Sequence, residues 1–336
     1  MDSPRISGIV SNRCNITMHP TNIQLEVTYK CNNACPFCYN ELDASCNRDG
    51  DLLSFERLKN VIEDIKNYGI FSINLNGGEP LCYPYFFDLL EFIKESNLDV
   101  HCNSNVTLVD AKTAKRLSKS LASICTSIHG YCAQQHDKLV NRFGAFNQTI
   151  AGIKFLQEEN VYVAVNVTLS KLNISNLNQI CDLLKSLNIR TLLLTRILTP
   201  SNIFSISDND FLNAIRIVKD FNEMHQCFGR VALPQPFPVC RCSDCELKGY
   251  IAEHNIACAA GILTARITPD GNVTPCPVME TPILGNVNSE NFSDIWNRFQ
   301  KTKWQKQMPK SCCCNCRFLL NCGGGCLAQD DSGILI

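Results

Sequence analysis

The sequence predicts an α/β chain built on a parallel sheet, followed by a cysteine-rich segment that depends on metal. Three observations carry this. Short β-branched or aromatic stretches alternate with stretches of helical apolar spacing from Ile23 to His225. A proline-rich stretch from Leu233 to Cys240 then breaks the pattern. Eleven of the 22 cysteines lie from Cys240 onward.

In chain order, Ile23–Tyr29 reads as a strand. Ser54–Tyr68 places Leu58, Val61, Ile62 and Ile65 on one helical face, with Ser54 as N-cap. Ile70–Asn76 is a second strand and Tyr85–Glu95 a second helix. Leu98–Asn103, Ala122–Ile128, Val161–Thr168 and Ile189–Thr195 continue the strands. Asp110–Lys119, Phe146–Glu158, Asn176–Leu187 and Asp208–His225 continue the helices. Such alternation implies right-handed crossovers, in an open doubly wound sheet or a partial barrel. In either case functional groups belong at the C-terminal strand ends. After the prolines only a hairpin around Pro269–Asn272 and a helix at Asn291–Lys301 stand out.

The 31 Lys plus Arg against 32 Asp plus Glu leave a net charge of −1, which gives no support to binding nucleic acid or an anionic membrane. Apolar runs such as Leu192–Leu194 are far shorter than a membrane span of about 20 residues. Met1–Val10 lacks the apolar core of a secretory signal, so the expected location is cytoplasmic. In that compartment 22 thiols point to metal rather than to disulfides.

Cys31, Cys35 and Cys38 follow the first strand with C-x3-C-x2-C spacing. Three thiolates on one loop can each take a different iron of a cubane cluster, leaving the fourth iron open to a small molecule. Half a zinc knuckle, a thioredoxin-like pair or idle core thiols are the alternatives. With Phe37 as its aromatic residue, the loop resembles the signature of radical S-adenosylmethionine (SAM) enzymes. Gly77, Gly78, Glu79 and Pro80, directly after the second strand, strengthen the resemblance. It implies a partial (β/α)6 barrel, a [4Fe-4S] cluster on Cys31, Cys35 and Cys38, and SAM bound beside Gly77–Pro80. Glycines there would let backbone approach the ligand, and Glu79 would face its ammonium. Ser104 and Asn105 stand where family members contact the ribose. The stretch Ser127–Gly130, His136–Asp137 and Gly144–Phe146 also resembles the family. Val140 occupies a position that is commonly arginine, which leaves nearby Arg142 as the candidate. Arg196, at the end of the sixth strand, is a candidate for the cosubstrate carboxylate or a surface cation.

Cys258 and Cys276, then Cys313, Cys316, Cys322 and Cys326, resemble the SPASM extension of these enzymes in order and spacing. The resemblance places Cys258, Cys276 and Cys326 on a first auxiliary cluster, with Cys240, Cys242 and Cys245 as candidate fourth ligands and Cys245 favoured. It places Cys313, Cys316 and Cys322 on a second, whose final family cysteine is missing, so that Cys312, Cys314, Asp330, Asp331 or a substrate would take its place, or the site would stay open. Zinc on thiolate tetrads is the alternative. The implied domains are residues 1–22 as an extension, 23–230 as the barrel and 231–336 as the auxiliary domain.

The implied function is reductive cleavage of SAM to a 5′-deoxyadenosyl radical that modifies a ribosomally made peptide. A haem-precursor or sulfatase-maturing enzyme is the alternative, the latter weakened because Pro277 follows Cys276 where that group has an aspartate. A non-enzymatic zinc or iron–sulfur scaffold is the other class. The expected partners are a peptide or small-protein substrate, a separate leader-binding protein and a flavodoxin- or ferredoxin-type electron donor. The catalytic base is not identified by the sequence.

Overall fold

A computed structural model describes residues 20–40, 52–197, 203–302, 313 and 315–328. Seven strands follow one another in parallel: β1 (Asn22–Glu26), β2 (Ser72–Asn76), β3 (Asp99–Asn103), β4 (Ser123–Ser127), β5 (Val163–Leu169), β6 (Thr191–Arg196) and β7 (Arg230–Ala232). Their crossovers carry the helices α1 (Phe55–Asn67), α2 (Phe86–Glu95), α3 (Ala111–Leu117), α4 (Ala133–Val140), α5 (Ala145–Glu158), α6 (Leu177–Ser186) and α7 (Asp208–His225). The expected six β–α units are all present, and the strands and helices alternate as their apolar spacing requires. Leu58, Val61, Ile62 and Ile65 are buried on α1, and Ser54 accepts the Arg57 amide as its N-cap. A capping box formed by Ser207 and Asp210 starts α7.

Three elements go beyond the sequence reading. Helix α4 turns only His136, Leu139 and Val140 inward, too short a stripe to show as periodicity. It stops where Asn141 takes a left-handed conformation, at φ 50°. Strand β7 straddles residue 231 and pairs with β6, so the sheet runs on across the expected domain boundary. Helix α8 (Cys245–His254) occupies the stretch read as irregular, and buries only Leu247, Ile251 and Ala252.

The cysteine-rich segment extends the same sheet from the other side. Strand β8 (Thr264–Ile267) lies parallel to β1, β9 (Asn272–Thr274) pairs antiparallel with β8, and β10 (Gly285–Asn286) pairs antiparallel with β9. The sheet order is β10-β9-β8-β1-β2-β3-β4-β5-β6-β7, open at both edges. Helix α9 (Phe292–Gln300) returns to pack on α1. Asp64 accepts from the backbone and hydroxyl of Ser293, the Tyr68 hydroxyl donates to Asn297 at 2.7 Å, and Arg57 donates to the carbonyls of Val287 and Glu290. Trp296 is fully buried in this contact, a packing role. Trp304 lies outside the described residues. A short helix, α10 (Leu319–Cys322), ends on Cys322, and Cys326 follows it. No helix among the described residues is long and apolar enough to cross a membrane.

Candidate metal centre

Strand β1 ends at Glu26, and the chain then runs through the loop that carries Cys31, Cys35 and Cys38. Five separate contacts fix that loop. The amides of Gly78 and Glu79 donate to the carbonyls of Thr28 and Lys30, both at 2.8 Å. The Tyr29 hydroxyl reaches Asp270 of the β8–β9 turn at 2.9 Å. Asn32 accepts from Asn105 at 2.7 Å and donates to Thr107 at 2.8 Å. The Ala34 amide donates to the Val140 carbonyl at the end of α4. Tyr39 and Asn40 donate to Glu26.

Burial pushes the thiols of Cys31 and Cys35 up to about 12, and the neighbouring thiolates add to the effect. Cys31 and Cys35 therefore lie within electrostatic reach of Cys38, and these two stay protonated until a soft metal displaces their protons. Among the described residues no three His, Cys, Asp or Glu side chains converge tightly enough for a single metal ion. A cubane needs a wider set, one thiolate to each of three irons, and a lone zinc ion a tighter one. A set made only of thiolates is soft and suits an iron–sulfur cluster. A fourth thiol, Cys82, sits against the Asn32 amide and within electrostatic reach of Cys31.

The structure gives the glycine pair a packing reason of its own. A Cβ on Gly77 would meet the Thr28 carbonyl oxygen at 2.5 Å, and one on Gly78 the Lys30 oxygen at 2.3 Å. The close approach these glycines allow is to the cysteine loop itself. Pro80 opens a single tight turn, Pro80–Cys82. Glu79 is fully buried. Its Oε1 accepts from the Leu81 amide at 3.1 Å and the Ser104 hydroxyl at 2.7 Å, and its Oε2 from the Asn105 amide at 2.7 Å. Desolvation raises its pKa, and these three hydrogen bonds oppose that. Oε2 retains one acceptor position. Ser104 and Asn105 are thus joined to Glu79 and to the cysteine loop.

Phe37 stands edge-on to His129, with ring centroids 5.2 Å apart. His129 accepts the Thr168 amide and His136 accepts the His129 amide, so both rings are structural acceptors. Burial lowers them to about 3 and about 4. Asp137 caps α5 by accepting the amides of Gly144 and Phe146, both at 2.7 Å. Ser127 ends β4 and pairs with Asn166 of β5. Arg142 donates to Asn33 in the cysteine loop at 3.4 Å and to Gln148 at 2.6 Å. Arg196 is 7% exposed, pairs with Asp208 at 2.5 Å and lies against the rings of Phe211 and Phe237. It is not a surface cation: Asp208 and the two rings hold its buried guanidinium.

In the second cysteine region, Cys258, Cys276 and Cys326 gather as expected. The charges of Cys258 and Cys326 act on Cys276, whose thiol burial pushes up to about 12. Cys276 and Cys326 pack around Met279 and Ala328. Cys245 is exposed in the first turn of α8. Of the other set, Cys313 is half-buried, Cys316 exposed, and Cys322 buried with its thiol toward the Phe237 carbonyl. Cys312, Cys314, Asp330 and Asp331 lie outside the described residues.

The sequence reading missed a buried ion pair between Arg266 of β8 and Glu26 of β1, 2.7 Å apart and joined by Asn40. Burial raises the Glu26 carboxyl, and the Arg266 charge works against it. The available signal was a charged residue inside each of two apolar strands, IQLEV and TARI.

A family model described as the radical SAM superfamily matches residues 25–185, and one described as an iron–sulfur cluster-binding domain, SPASM, matches residues 258–323. Over 315 residues the chain is 25% identical to the mycofactocin maturase MftC of Mycobacterium tuberculosis, covering 92% of this chain and 78% of that one. It is 27% identical to the AdoMet-dependent heme synthase of Methanosarcina barkeri, covering 92% of each. Its fold is similar to the crystal structure of Streptococcus suis SuiB bound to precursor peptide SuiA, with a TM-score of 0.71, 17% identity and coverage of 95% and 74%.

Proposed function

We propose, because this chain belongs to the radical SAM superfamily and carries a SPASM iron–sulfur domain, that it cleaves SAM reductively and modifies a peptide with the radical so formed. The observation that carries this reading is the three-thiol loop, pinned at the C-terminal end of β1 from five sides. Cys31, Cys35 and Cys38 would hold a [4Fe-4S] cluster and leave one iron for the cosubstrate. Once bound and reduced, that cluster supplies one electron to the sulfonium, giving methionine and a 5′-deoxyadenosyl radical that abstracts hydrogen. Gly77–Pro80, with Ser104 and Asn105, would form the cosubstrate wall, where the free acceptor position of Glu79 suits an ammonium. Phe37, Ser127 and Arg142 would line the same end of the sheet. Arg142 acts by steadying Asn33 in the cysteine loop.

Cys258, Cys276 and Cys326 would hold a first auxiliary cluster, with Cys245 proposed as fourth ligand. Cys313, Cys316 and Cys322 would hold a second. The functional boundary at residue 230 separates the two thiol sets although one sheet crosses it. The peptide reading is supported by the likeness to a maturase over 92% of this chain. A flavodoxin- or ferredoxin-type protein as electron donor, a separate leader-binding protein and a cytoplasmic setting complete the proposal. Thiols in this number suit a reducing compartment.

A second reading, action on a haem precursor, is favoured by the likeness to a heme synthase across 92% of both chains. Anaerobic reconstitution, reduction and product analysis test both. Wild type should contain about 12 iron for three cubanes and form 5′-deoxyadenosine, and Cys35→Ala should form none. A mass change on a co-expressed precursor peptide supports the first reading. A change confined to an added tetrapyrrole supports the second. Absence of deoxyadenosine from fully loaded wild type would refute both.

A further inference from the structure

A positive flank borders the cysteine loop. The whole chain carries a net charge of −1, but residues 105–157 hold seven Lys or Arg against two Asp or Glu, which leaves 24 against 30 elsewhere. The seven cations lie on or beside α3, α4 and α5, and all but Arg142 are exposed. Both acids serve as local caps. Asp110 accepts the Thr113 amide at the start of α3, and Asp137 accepts the Gly144 and Phe146 amides at the start of α5.

Three contacts set the cysteine loop against this flank. The Ala34 amide donates to the Val140 carbonyl at 3.0 Å, Arg142 donates to Asn33 at 3.4 Å, and Phe37 meets the His129 ring edge-on. Between Cys35 and Cys38 the loop reaches the surface at Pro36. The α4–α5 turn beside it presents Phe143, which is 98% exposed, more than any other large apolar side chain among the described residues. The turn is pinned on both sides of that ring. The Arg142 amide donates to the Asp137 carbonyl at 3.0 Å, and Asp137 Oδ2 accepts the Gly144 amide at 2.7 Å. A single exposed ring is ordinary on a protein surface. One fixed beside the thiol loop, with exposed Lys138 on the helix leading to it, has the make-up of a small docking patch: an aromatic anchor inside a charged rim.

We propose that this flank docks the electron donor, an acidic one-electron carrier protein that covers Phe143 and Pro36 and is steered there by Lys138 and the cations of α3 and α5. The inference rests on the cysteine-loop cluster assigned under the proposed function. The carrier's flavin or iron–sulfur group gives up one electron and the cluster gains it, with no bond made or broken. The flank touches the loop at Asn33, Ala34 and Phe37, so a carrier seated here stands next to the thiols that would hold the acceptor. Redox encounters bury little surface and are brief, and opposite charge raises their association rates. A concentrated positive flank on a chain that is otherwise acidic supplies that steering and selects an acidic partner.

The test is stopped-flow reduction of the full, anaerobically reconstituted chain by a purified acidic flavodoxin in its hydroquinone state, repeated with a reduced acidic ferredoxin. Wild type should be reduced at a rate that falls about tenfold between about 50 and 500 mM salt. Lys138→Glu/Phe143→Ser should slow the low-salt rate about tenfold. Lys94→Glu/Met224→Ser makes the same kinds of change at exposed sites in the last turn of α2 and on α7, and should match wild type. Dithionite needs no docking, so deoxyadenosine formed with it should be alike in all three proteins. A wild-type rate indifferent to salt, no reduction by either carrier, or a Lys138→Glu/Phe143→Ser protein reduced as fast as wild type would overturn the proposal. Loss of precursor-peptide modification by that variant under dithionite would also overturn it, by making the flank a seat for the substrate. A wild type that forms no deoxyadenosine even with dithionite would instead refute the proposed function, and this proposal with it.

Discussion

Replacing Glu79 by Gln separates two roles that one side chain combines: fixing the cysteine loop's neighbourhood and offering charge to a ligand. The carboxylate accepts three protein hydrogen bonds, two of them at 2.7 Å. A glutamine can keep its oxygen toward the Leu81 amide and the Ser104 hydroxyl, but its NH2 then confronts the Asn105 amide. One buried donor is left unmet, at a cost of about 1–3 kcal/mol, and a hydrogen bond to a charged group, worth about 1.5–3 kcal/mol, is lost. These overlap, so the net destabilisation should be about 3 kcal/mol. At about 2.1 cal/mol/K per residue, the 336 residues give an unfolding entropy near 0.7 kcal/mol/K and a Tm lowered by about 4 °C. Scanning calorimetry on anaerobic protein without SAM measures this directly. Combination with Ser104→Ala should show a coupling of about 1 kcal/mol, because the Ser104 hydroxyl donates to a charged oxygen in wild type and only to a neutral amide oxygen in Glu79→Gln. A Glu79→Gln protein as stable as wild type would mean that burying the carboxylate costs as much as its hydrogen bonds return. The anchoring argument would then fail.

Cys35→Ala should abolish deoxyadenosine formation, whereas Cys316→Ala should retain part of it; equal loss in both would make the auxiliary region a folding element instead of a redox participant. Iron uptake should weaken on acidification. Cys31, Cys35 and Cys276 stand at about 12 and must lose protons to bind metal, so apparent affinity should fall about tenfold per pH unit for each proton displaced. Uptake independent of pH between 8.5 and 6.5 would contradict this. The folded chain should also become acid-labile through His136, whose pKa is lowered to about 4 from 6.5. The unfolded chain takes up this proton first, so the contribution is intact above pH 6.5 and is lost as pH falls toward 4, by about 3 kcal/mol. Urea midpoints measured across that range should fall less steeply in His136→Gln, with the remaining slope carried by His129, and an unaltered slope would refute the assignment.

The strands and helices of the first two thirds were legible because each buries a regular apolar face, as with Ile23 and Leu25 on β1 or Leu58 to Ile65 on α1. The cysteine loop was legible because its three ligands lie within eight residues. What was not legible depends on partners far apart in the chain. Glu26 and Arg266 are separated by 240 positions, and neither strand alone indicates that its charge is matched. The glycines after β2 look like a ligand cradle in isolation, and only the return of Thr28 and Lys30 against them shows what their missing Cβ atoms make room for. The partner of Arg196 was not legible either: the arginine ends a strand, and its Asp208 comes 12 residues later at the start of α7. Helix α8 escaped notice because three buried side chains in ten residues leave no clear period.

The most direct test of the central claim is the resonance spectrum of the reduced cysteine-loop cluster in Cys276→Ala/Cys316→Ala protein, recorded with and without SAM. Three thiolates and one free iron predict that SAM shifts the spectrum by binding that iron, and that Cys31→Ala, Cys35→Ala and Cys38→Ala each remove the signal. A spectrum indifferent to SAM, or one that survives loss of Cys35, would contradict the account.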